Sequence, residues 1–505
     1  MSPHRPVPTG LAAPAAGMRR WALLGMVVVV LAGLAVLDRG IARTAPAPAA
    51  VPLAAEAAPA PSESSSWYCA GGSGGGNGVP GATVYLTNTT RTPVAGTVTV
   101  GNESGTAATS RVEVPPGGQV AVVPGQLARG AWLAARVDLD RGGVVATQTM
   151  GPASAWAVAP CASTASPTWY FASGSTAPGS RLLLALFNPT TTPAVVDTTF
   201  ATAGGKMSQP APFEGVVVAP GQVVVADVGT YVQDEPLVAT TVSARSGAVV
   251  ADEVEARQGV VAGLSLRLGV PAPRPSWSLP GIEDPAAGSS SLAVLNPTSR
   301  AEEVQVDVQL ETGPAAPFDQ VVGPGDVWQL ETSSARRIPA AQPFTVHVST
   351  RGAGGGVVVD RVVSSTGSTG GANAGAGSAA SAGAGAPGWG SVPAAAAVPG
   401  LLVWALPGPV GPGSSPPRLG LSSLGGPVSV RLLALAGRTR VTVATLRLPA
   451  HGFTVVLPQV LGRAGGRPLL VVGSGPIAAM LDEVPGSPGV VPLVAVPLAP
   501  PAGSP

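Results

Sequence analysis

A short motif that begins with tryptophan occurs four times along this chain. Its copies read WYCAGG (67–72), WYFASG (169–174), WSLPG (277–281) and WALPG (404–408). Repetition over such distances indicates that the chain is built from similar folding units, each with its own share of a buried core. The repeat therefore limits the fold to an array of related modules.

Further landmarks recur in the same order inside each unit. A hydrophobic run ends in an asparagine in the first three units, where the fourth unit has LSSLGG (421–426). A turn containing Gly and a strand-like run come next, and two runs around a glycine-containing turn close each unit. We place the units at 67–165, 166–270, 271–364 and 399–485, and the fourth copy departs most from the pattern. The landmarks are Trp67, Trp169, Trp277, Trp404, Asn88, Asn188 and Asn296.

The pattern inside the units is that of short β-strands. The second unit contains seven mostly β-branched runs that are separated by Pro, Gly or Asn. In VQVDVQL (304–310), apolar and polar residues alternate, which is typical of a sheet with one solvated face. Seven such strands predict an all-β fold of tandem immunoglobulin-like β-sandwich repeats, with the opening tryptophan in the core.

The N-terminal part predicts a membrane anchor. Residues 21–37 are apolar and uncharged, and Arg19 and Arg20 precede them. This arrangement favours a single transmembrane helix with residues 1–20 in the cytoplasm and the rest of the chain outside the plasma membrane. A secretory signal that is cleaved, which would leave a secreted protein, and a buried core helix are the alternatives. Residues 38–66, rich in Pro and Ala, predict an extended spacer.

Two further segments have the composition of connectors. Residues 365–398 consist almost entirely of Ser, Thr, Gly and Ala, which predicts a flexible linker that lets the fourth unit move independently. Residues 486–505 are interrupted by prolines and are predicted to be a tail. The expected arrangement is a tethered rod of sandwich modules.

The chain has two cysteines, Cys69 and Cys161. Cys69 opens the first unit, and Cys161 lies just before the second. In an oxidising exterior two unaccompanied cysteines usually pair, so we predict a disulfide that closes the first unit. Two buried thiols or an intermolecular bridge are the alternatives.

Composition argues against several classes of function. The net charge is +1 and there is no Lys/Arg cluster, which argues against nucleic-acid binding. The two cysteines do not form a C-x-x-C motif, so a zinc site is not expected, and we predict no metal and no cofactor.

No set of residues forms a recognisable catalytic motif, so we predict a protein that is not an enzyme. His347 is expected on a polar strand face, and His451 occupies a turn. The acidic pairs 252–253 and 482–483 are interpreted as equivalent positions on a solvated strand edge.

The chain resembles an uncharacterised family of actinobacterial cell-envelope proteins, a domain of unknown function. The resemblance rests on the N-terminal anchor, the Pro/Ala-rich spacer, the WYCAGG opening and the LFNP and VLNP motifs at Asn188 and Asn296. More loosely, the units resemble immunoglobulin-like adhesion modules of bacterial surface proteins. The resemblance implies location in the cell envelope and assigns no functional residue.

Two functions are compatible with these observations. The first is a non-catalytic, membrane-tethered extracytoplasmic protein that binds or positions an envelope component, such as a cell-wall glycan or a partner protein. The second is a carbohydrate-binding accessory to envelope glycan synthesis or export, which exposed Trp132, Trp156 or Trp328 would favour. An enzyme assembled across domains ranks third.

Overall fold

The protein is all-β in the part of the chain that the structure describes. The computed structural model describes Met26 and residues 53–499, except 75–78, 152–156, 260–261, 284–287, 340–341, 353, 366–387, 397–402, 407–417 and 484–490. Among these residues, none belongs to a helix with the length and apolar character needed to cross a bilayer. The predicted anchor at 21–37 lies outside the described residues, apart from Met26. Residues 52–505 belong to one compact unit, within which four modules can be distinguished.

The first module consists of two sheets, and the other modules have a similar arrangement of strands. Its sheets have the strand orders β1-β6-β3-β4 and β5-β2-β7-β8. The elements are β1 (Ser65–Ser73), β2 (Ala82–Asn88), β3 (Val94–Asn102), β4 (Gly105–Val114), β5 (Gln119–Val122), α1 (Pro124–Leu127), β6 (Trp132–Leu139), β7 (Val144–Met150) and β8 (Ala157–Pro160).

The second module repeats this plan with an extra short strand. The seven runs identified in its sequence correspond to β9, β10, β11 and β13–β16 below. The strands are β9 (Thr168–Phe171), β10 (Ser180–Phe187), β11 (Ala194–Thr202), β12 (Lys206–Ser208), β13 (Val216–Val218), β14 (Val223–Asp227), β15 (Val238–Ser246), β16 (Val250–Arg257) and β17 (Gly263–Leu268), with 3-10 turns at Ala211–Phe213 and Val228–Thr230.

The third module shares a sheet with the second. A single parallel contact joins β17 to β26, so that one eight-stranded sheet runs through both modules. The strands are β18 (Ser276–Glu283), β19 (Gly288–Leu295), β20 (Glu302–Leu310), β21 (Gly313–Pro314), β22 (Phe318–Val322), β23 (Val327–Glu331), β24 (Pro343–Arg351), β25 (Val358–Ser365), β26 (Gly388–Pro393) and β27 (Ala395–Ala396).

The fourth module has the same two-sheet plan, with orders β31-β30-β33-β28-β36 and β32-β29-β34-β35. Its elements are β28 (Val403–Leu406), β29 (Arg418–Ser423), β30 (Val428–Ala436), β31 (Thr439–Leu448), β32 (Phe453–Val456), α2 (Pro458–Leu461), a 3-10 turn at Gly462–Ala464, β33 (Leu469–Gly473), β34 (Ile477–Glu483), β35 (Val491–Val494) and β36 (Val496–Pro497).

Two segments predicted as connectors contain strands of the modules. Residues 388–396 of the predicted linker form β26 and β27, and residues 491–497 of the predicted tail form β35 and β36. Both predictions were wrong for these residues because the segments are short and contain Gly or Pro. Pairing with β25 and β34 makes them strands where local propensity does not.

The strand order differs from that of an immunoglobulin domain. There, the seventh strand lies in one sheet with the sixth, and the first lies in the other sheet. Here the seventh strand β7 pairs with the second strand β2, and the first strand β1 pairs with the sixth strand β6. The modules are β-sandwiches in which the first and seventh strands have exchanged sheets.

The four modules form a closed ring rather than a rod. The last long strand of each module contacts its counterpart in the next: β8 contacts β17, β17 contacts β26, β26 contacts β35, and β35 contacts β8. The apolar cores are continuous across these boundaries, since buried residues of the fourth module join the core cluster of the first two. The predicted independence of the fourth unit is therefore not observed.

The N-terminal segment takes part in the ring. Ala57 pairs with Leu498 in a parallel bridge, and the amide of Ala57 donates to the carbonyl of Pro497 over 2.9 Å. Ala55 and Ala57 are buried. Residues 53–57 of the predicted spacer thus pack where the first and last modules meet, which leaves residues 38–52 as the predicted spacer.

Candidate functional site

The four opening tryptophans hold equivalent places in the four cores. Each is at most 2 % exposed. Each indole Nε1 donates across the sandwich to a carbonyl at the start of the closing strand: Trp67 to Val144, Trp169 to Val249, Trp277 to Val357 and Trp404 to Ile477, over 2.7–3.0 Å. A buried indole N–H requires such an acceptor. The shared bond shows that the fourth module is a copy of the repeat.

The landmark asparagines support the turn that follows them. Asn188 is fully buried, and its Nδ2 donates to the carbonyls of Thr192 and Val218, each over 2.8 Å. Its Oδ1 accepts from the amide and the hydroxyl of Thr190. Asn88 and Asn296 make the matching bonds in their modules. The role of these asparagines is structural.

The predicted disulfide is present. Cys69 in β1 is bonded to Cys161, which follows β8, and both residues are buried. The bond ties the first strand of the first module to its last strand.

One turn residue sets the fourth module apart. Modules one to three place a glycine at the third position of the turn after the landmark loop, with positive φ: Gly117 at 56°, Gly221 at 72° and Gly325 at 70°. In the fourth module His451 has φ 53° in the same turn, closed by the Gly452 amide on the Pro449 carbonyl. A side chain in this region is strained, and such strain is concentrated at functional sites.

His451 borders a cavity between the third and fourth modules. The cavity has a volume of about 320 Å³. The third module contributes Asp307, Gln309 and His347 on β20 and β24 together with Ser278 on β18, and the fourth contributes Ser422 and His451. Ser278 Oγ and Ser422 Oγ lie 3.2 Å apart and connect the two modules. These polar groups point to a ligand site rather than a packing defect.

His347 is the central titratable group of this cavity. It lies directly opposite Asp307 in the β20–β24 ladder, and its Nε2 is 3.2 Å from Ser276 Oγ. Burial lowers the pKa of His347, the neighbouring charge of Asp307 opposes this change, and His451 adds to it. The imidazole of His347 is therefore neutral at pH 7, and it can donate one hydrogen bond and accept another.

The other module boundaries differ at these positions. The strand registers place Arg136 in the first module and Thr241 in the second where the third has His347. The sequence prediction assigned His347 and His451 no partners, because the residues that accompany them come from other strands and from the next module. The histidine in place of a turn glycine was the one signal in the sequence.

The acidic pair at 252–253 is buried rather than solvated. Asp252 reaches across to the first module and accepts from Gln148 Nε2 and the Ala70 amide. Burial raises the pKa of Asp252 to about 7, and these two bonds oppose the change. Glu253 pairs with the buried Arg267 over 2.6 Å. The prediction of a solvated edge was wrong because the outer face of this sheet is covered by the preceding module.

Asp360 repeats this contact one module further on. It accepts from the amides of Ala172 and Ser173 and from the Ser173 hydroxyl over 2.9–3.0 Å. Burial raises its pKa, and the charge of Arg267 lowers it. Asp252 and Asp360 therefore connect the second module to the first and the third to the second in the same way.

The boundary between modules three and four replaces this contact with an apolar one. Counting from the carbonyl that accepts from tryptophan, Met480 stands where the earlier modules have Asp252 and Asp360, so the acidic residues 482–483 are not equivalent to 252–253. The third module has Pro280 where the first two offer the amides of Ala70 and Ala172, and proline has no N–H. Met480 is buried in the core of the third module. A carboxylate at position 480 would lack the backbone N–H donor that Asp252 and Asp360 have.

The remaining sequence candidates give little support to a binding role. Trp132 is buried, and its indole donates to the Ala70 carbonyl over 2.8 Å. Trp328 is partly buried against the core of the third module, and Trp156 lies outside the described residues. In the described part of the chain, no three His, Cys, Asp or Glu residues are grouped so that they could hold a metal ion.

Comparisons with known proteins give a family match without an activity. Residues 128–334 match the model of a family of unknown function, DUF5719, so the match spans the second module and parts of both neighbours. No curated protein matches the chain.

Solved structures show only distant similarity. A Thermotoga maritima protein, 1070, is 14 % identical over 18 % of this chain and 82 % of its own, with a TM-score of 0.17. A tetra-tandem repeat from the extending region of a large adhesion protein is 9 % identical over 83 % of this chain and 95 % of its own, with a TM-score of 0.11. Salmonella alpha-2-macroglobulin is 9 % identical over 87 % of this chain and 33 % of its own, with a TM-score of 0.15. Similarities of this size carry no information on function. What the comparisons establish is that residues 128–334 resemble a family to which no function is assigned.

Proposed function

We propose that this protein is a non-catalytic, membrane-tethered extracytoplasmic protein that binds or positions a component of the cell envelope. The observation that carries this proposal is the polar cavity between modules three and four. The fourth module there departs from the repeat by accepting a strained histidine in place of glycine, and the cavity combines it with groups from the third module. Packing alone gives no reason for that substitution.

The location outside the membrane is supported by two features. The disulfide between Cys69 and Cys161 is of the kind that persists in oxidising compartments. The apolar residues 21–37, with Arg19 and Arg20 before them, have the length and the charge pattern of a signal anchor. We propose that residues 38–52 connect this anchor to the ring.

A hydrolase is the second candidate, and one contact favours it. Ser276 Oγ lies 3.2 Å from His347 Nε2, as a nucleophile lies near its base. Asp307, however, accepts from Gln305 Nε2 over 2.8 Å, and its charge acts on the pKa of His347 without a hydrogen bond to the ring. Ser276 is also not among the residues that line the cavity. This arrangement lacks the carboxylate that orients the imidazole in a triad, so binding is the better-supported function.

The test is sedimentation of purified 52–505 with isolated cell walls, either untreated or stripped of protein by protease. The compact unit 52–505 retains the N-terminal segment that packs into the ring. Binding to either preparation supports the proposal, and survival after stripping indicates a glycan. Failure to sediment with both refutes it. Ester or glycoside hydrolysis that is lost in Ser276→Ala would instead establish the second candidate.

A further inference from the structure

We infer that the cavity between modules three and four binds a neutral, polyhydroxylated ligand, the chemistry of a sugar residue, through Asp307, His347 and His451. The inference rests on the proposed binding function and names the ligand class of the same site. The cavity's volume of about 320 Å³ lies at the lower end of the range for small-molecule sites. It suits one small ring better than a protein surface.

The charges of the lining disfavour an anion. Asp307 is the one carboxylate among the lining residues of the described structure, and none of them is Lys or Arg. A phosphate or carboxylate ligand would therefore meet a like charge with no cation to offset it. His347 does not supply that cation, because burial lowers its pKa and keeps its imidazole neutral at pH 7.

The hydrogen-bonding groups match hydroxyls. Asp307 accepts only, whereas the neutral imidazole of His347 and the amide of Gln309 each donate and accept. A sugar hydroxyl also donates and accepts, so several can be satisfied at once. An apolar ligand would displace water from the hydrogen-bonding positions that these groups do not use within the protein, at a cost for each one.

The strain at His451 is an independent observation that points to a ligand. Three sister turns have glycine at this position. The histidine of the fourth module accepts an unfavourable backbone conformation and brings an exposed imidazole to the rim of the cavity. A site that binds through this ring gives a reason for the substitution.

The experiment uses the fact that 52–505 contains only two histidines, His347 and His451, both at the cavity. The protein is labelled with ¹³C-histidine, and the imidazole NMR signals are followed while methyl pyranosides and soluble wall-derived oligosaccharides are added to about 50 mM, which covers weak sites. The His451→Gly variant assigns the two signals. We expect both to shift and saturate with at least one glycan.

Variants then test the residues. Asp307→Asn and His451→Gly are expected to weaken binding at least tenfold, while Thr241→Ala, at the place in module two that corresponds to His347, leaves it unchanged. Because His451→Gly restores the residue of the sister modules, its loss of binding cannot be ascribed to misfolding if its urea midpoint is no lower than that of the wild type.

The outcomes separate the inference from the proposed function. If walls bind but no glycan moves either imidazole signal, the cavity assignment is overturned while the binding function stands. Shifts caused by inorganic phosphate, acetate or a methylammonium salt in place of glycans would overturn the ligand class. If neither walls nor glycans bind, both proposals fail.

Discussion

The buried carboxylate at the boundary of modules one and two makes the ring sensitive to pH. Asp252 is fully buried, and no cation is among the causes that act on its pKa. Its pKa in the folded chain is about 7, against an ordinary value of 3.8. The folded state therefore holds a proton that the unfolded state has released, so this group stabilises the fold most below about pH 4 and the contribution is lost as the pH rises to about 7.

The magnitude follows from these two pKa values. Linkage gives a loss of about 2–3 kcal/mol between pH 5 and pH 8 from this single group. Glu253 behaves in the same direction, since burial raises its pKa to about 7, so the wild-type protein alone does not isolate Asp252. The Asp252→Asn variant does: its amide oxygen can still accept from Gln148 and Ala70, and it does not titrate.

The assay is urea unfolding of 52–505 and of Asp252→Asn, followed by tryptophan fluorescence at pH 5, 6, 7 and 8. The free energy of unfolding of the variant relative to wild type should rise by about 2–3 kcal/mol from pH 5 to pH 8. Asp360→Asn is the matched variant at the next module boundary, and a change in the same direction is expected because burial also raises the pKa of Asp360. A difference between Asp252→Asn and wild type that stays constant over this range would refute the reasoning.

Three further outcomes can be measured on the same protein. Reduction of the bond between Cys69 and Cys161, which are 92 residues apart, should lower the free energy of unfolding by about 4.5 kcal/mol in the chain-entropy model, and a reductant should not affect the double Cys→Ser variant. Asn188→Ala should cost about 2 kcal/mol in urea unfolding, because the buried carbonyl of Val218 and the partly buried carbonyl of Thr192 lose their donor; a cost below about 0.5 kcal/mol would contradict the structural role. His451→Gly should stabilise the protein by about 0.5–1 kcal/mol, since relief of left-handed strain outweighs the added freedom of glycine in the unfolded chain. A lower urea midpoint for this variant would show that the turn is not strained.

The conserved order of landmarks within the repeat made the module interiors predictable. Each opening tryptophan needs an apolar core and an acceptor for its indole N–H. The strands supply that core through alternating apolar and polar residues. The disulfide was also predictable, because the two cysteines stand at the beginning and the end of one module. These features depend on residues within a single repeat.

The last strands of the modules could not be predicted in the same way. Segments such as Ala157–Pro160 and Gly388–Pro393 are short and contain proline or glycine. They become strands because a neighbouring strand supplies partners for their backbone groups. The strand order, which differs from the predicted immunoglobulin-like one, could likewise not be predicted from the pattern. Alternation shows that a strand is half-buried without showing beside which strand it lies.

The sequence by itself determined the number of modules, their β-sheet character, the tryptophan cores and the disulfide, because local periodicity and repeated spacing encode burial within a module. Only the tertiary structure decided that the modules close into a ring, that Asp252 is buried and that His347 and His451 share a cavity. Those outcomes depend on contacts between modules, where a residue of one repeat meets a different position of the next. Where the third module has Pro280 without an N–H, the fourth module has Met480 in place of the aspartate of the earlier modules. The sequence thus contains matched pairs of residues across module boundaries, but they can be recognised only once the facing surfaces are known.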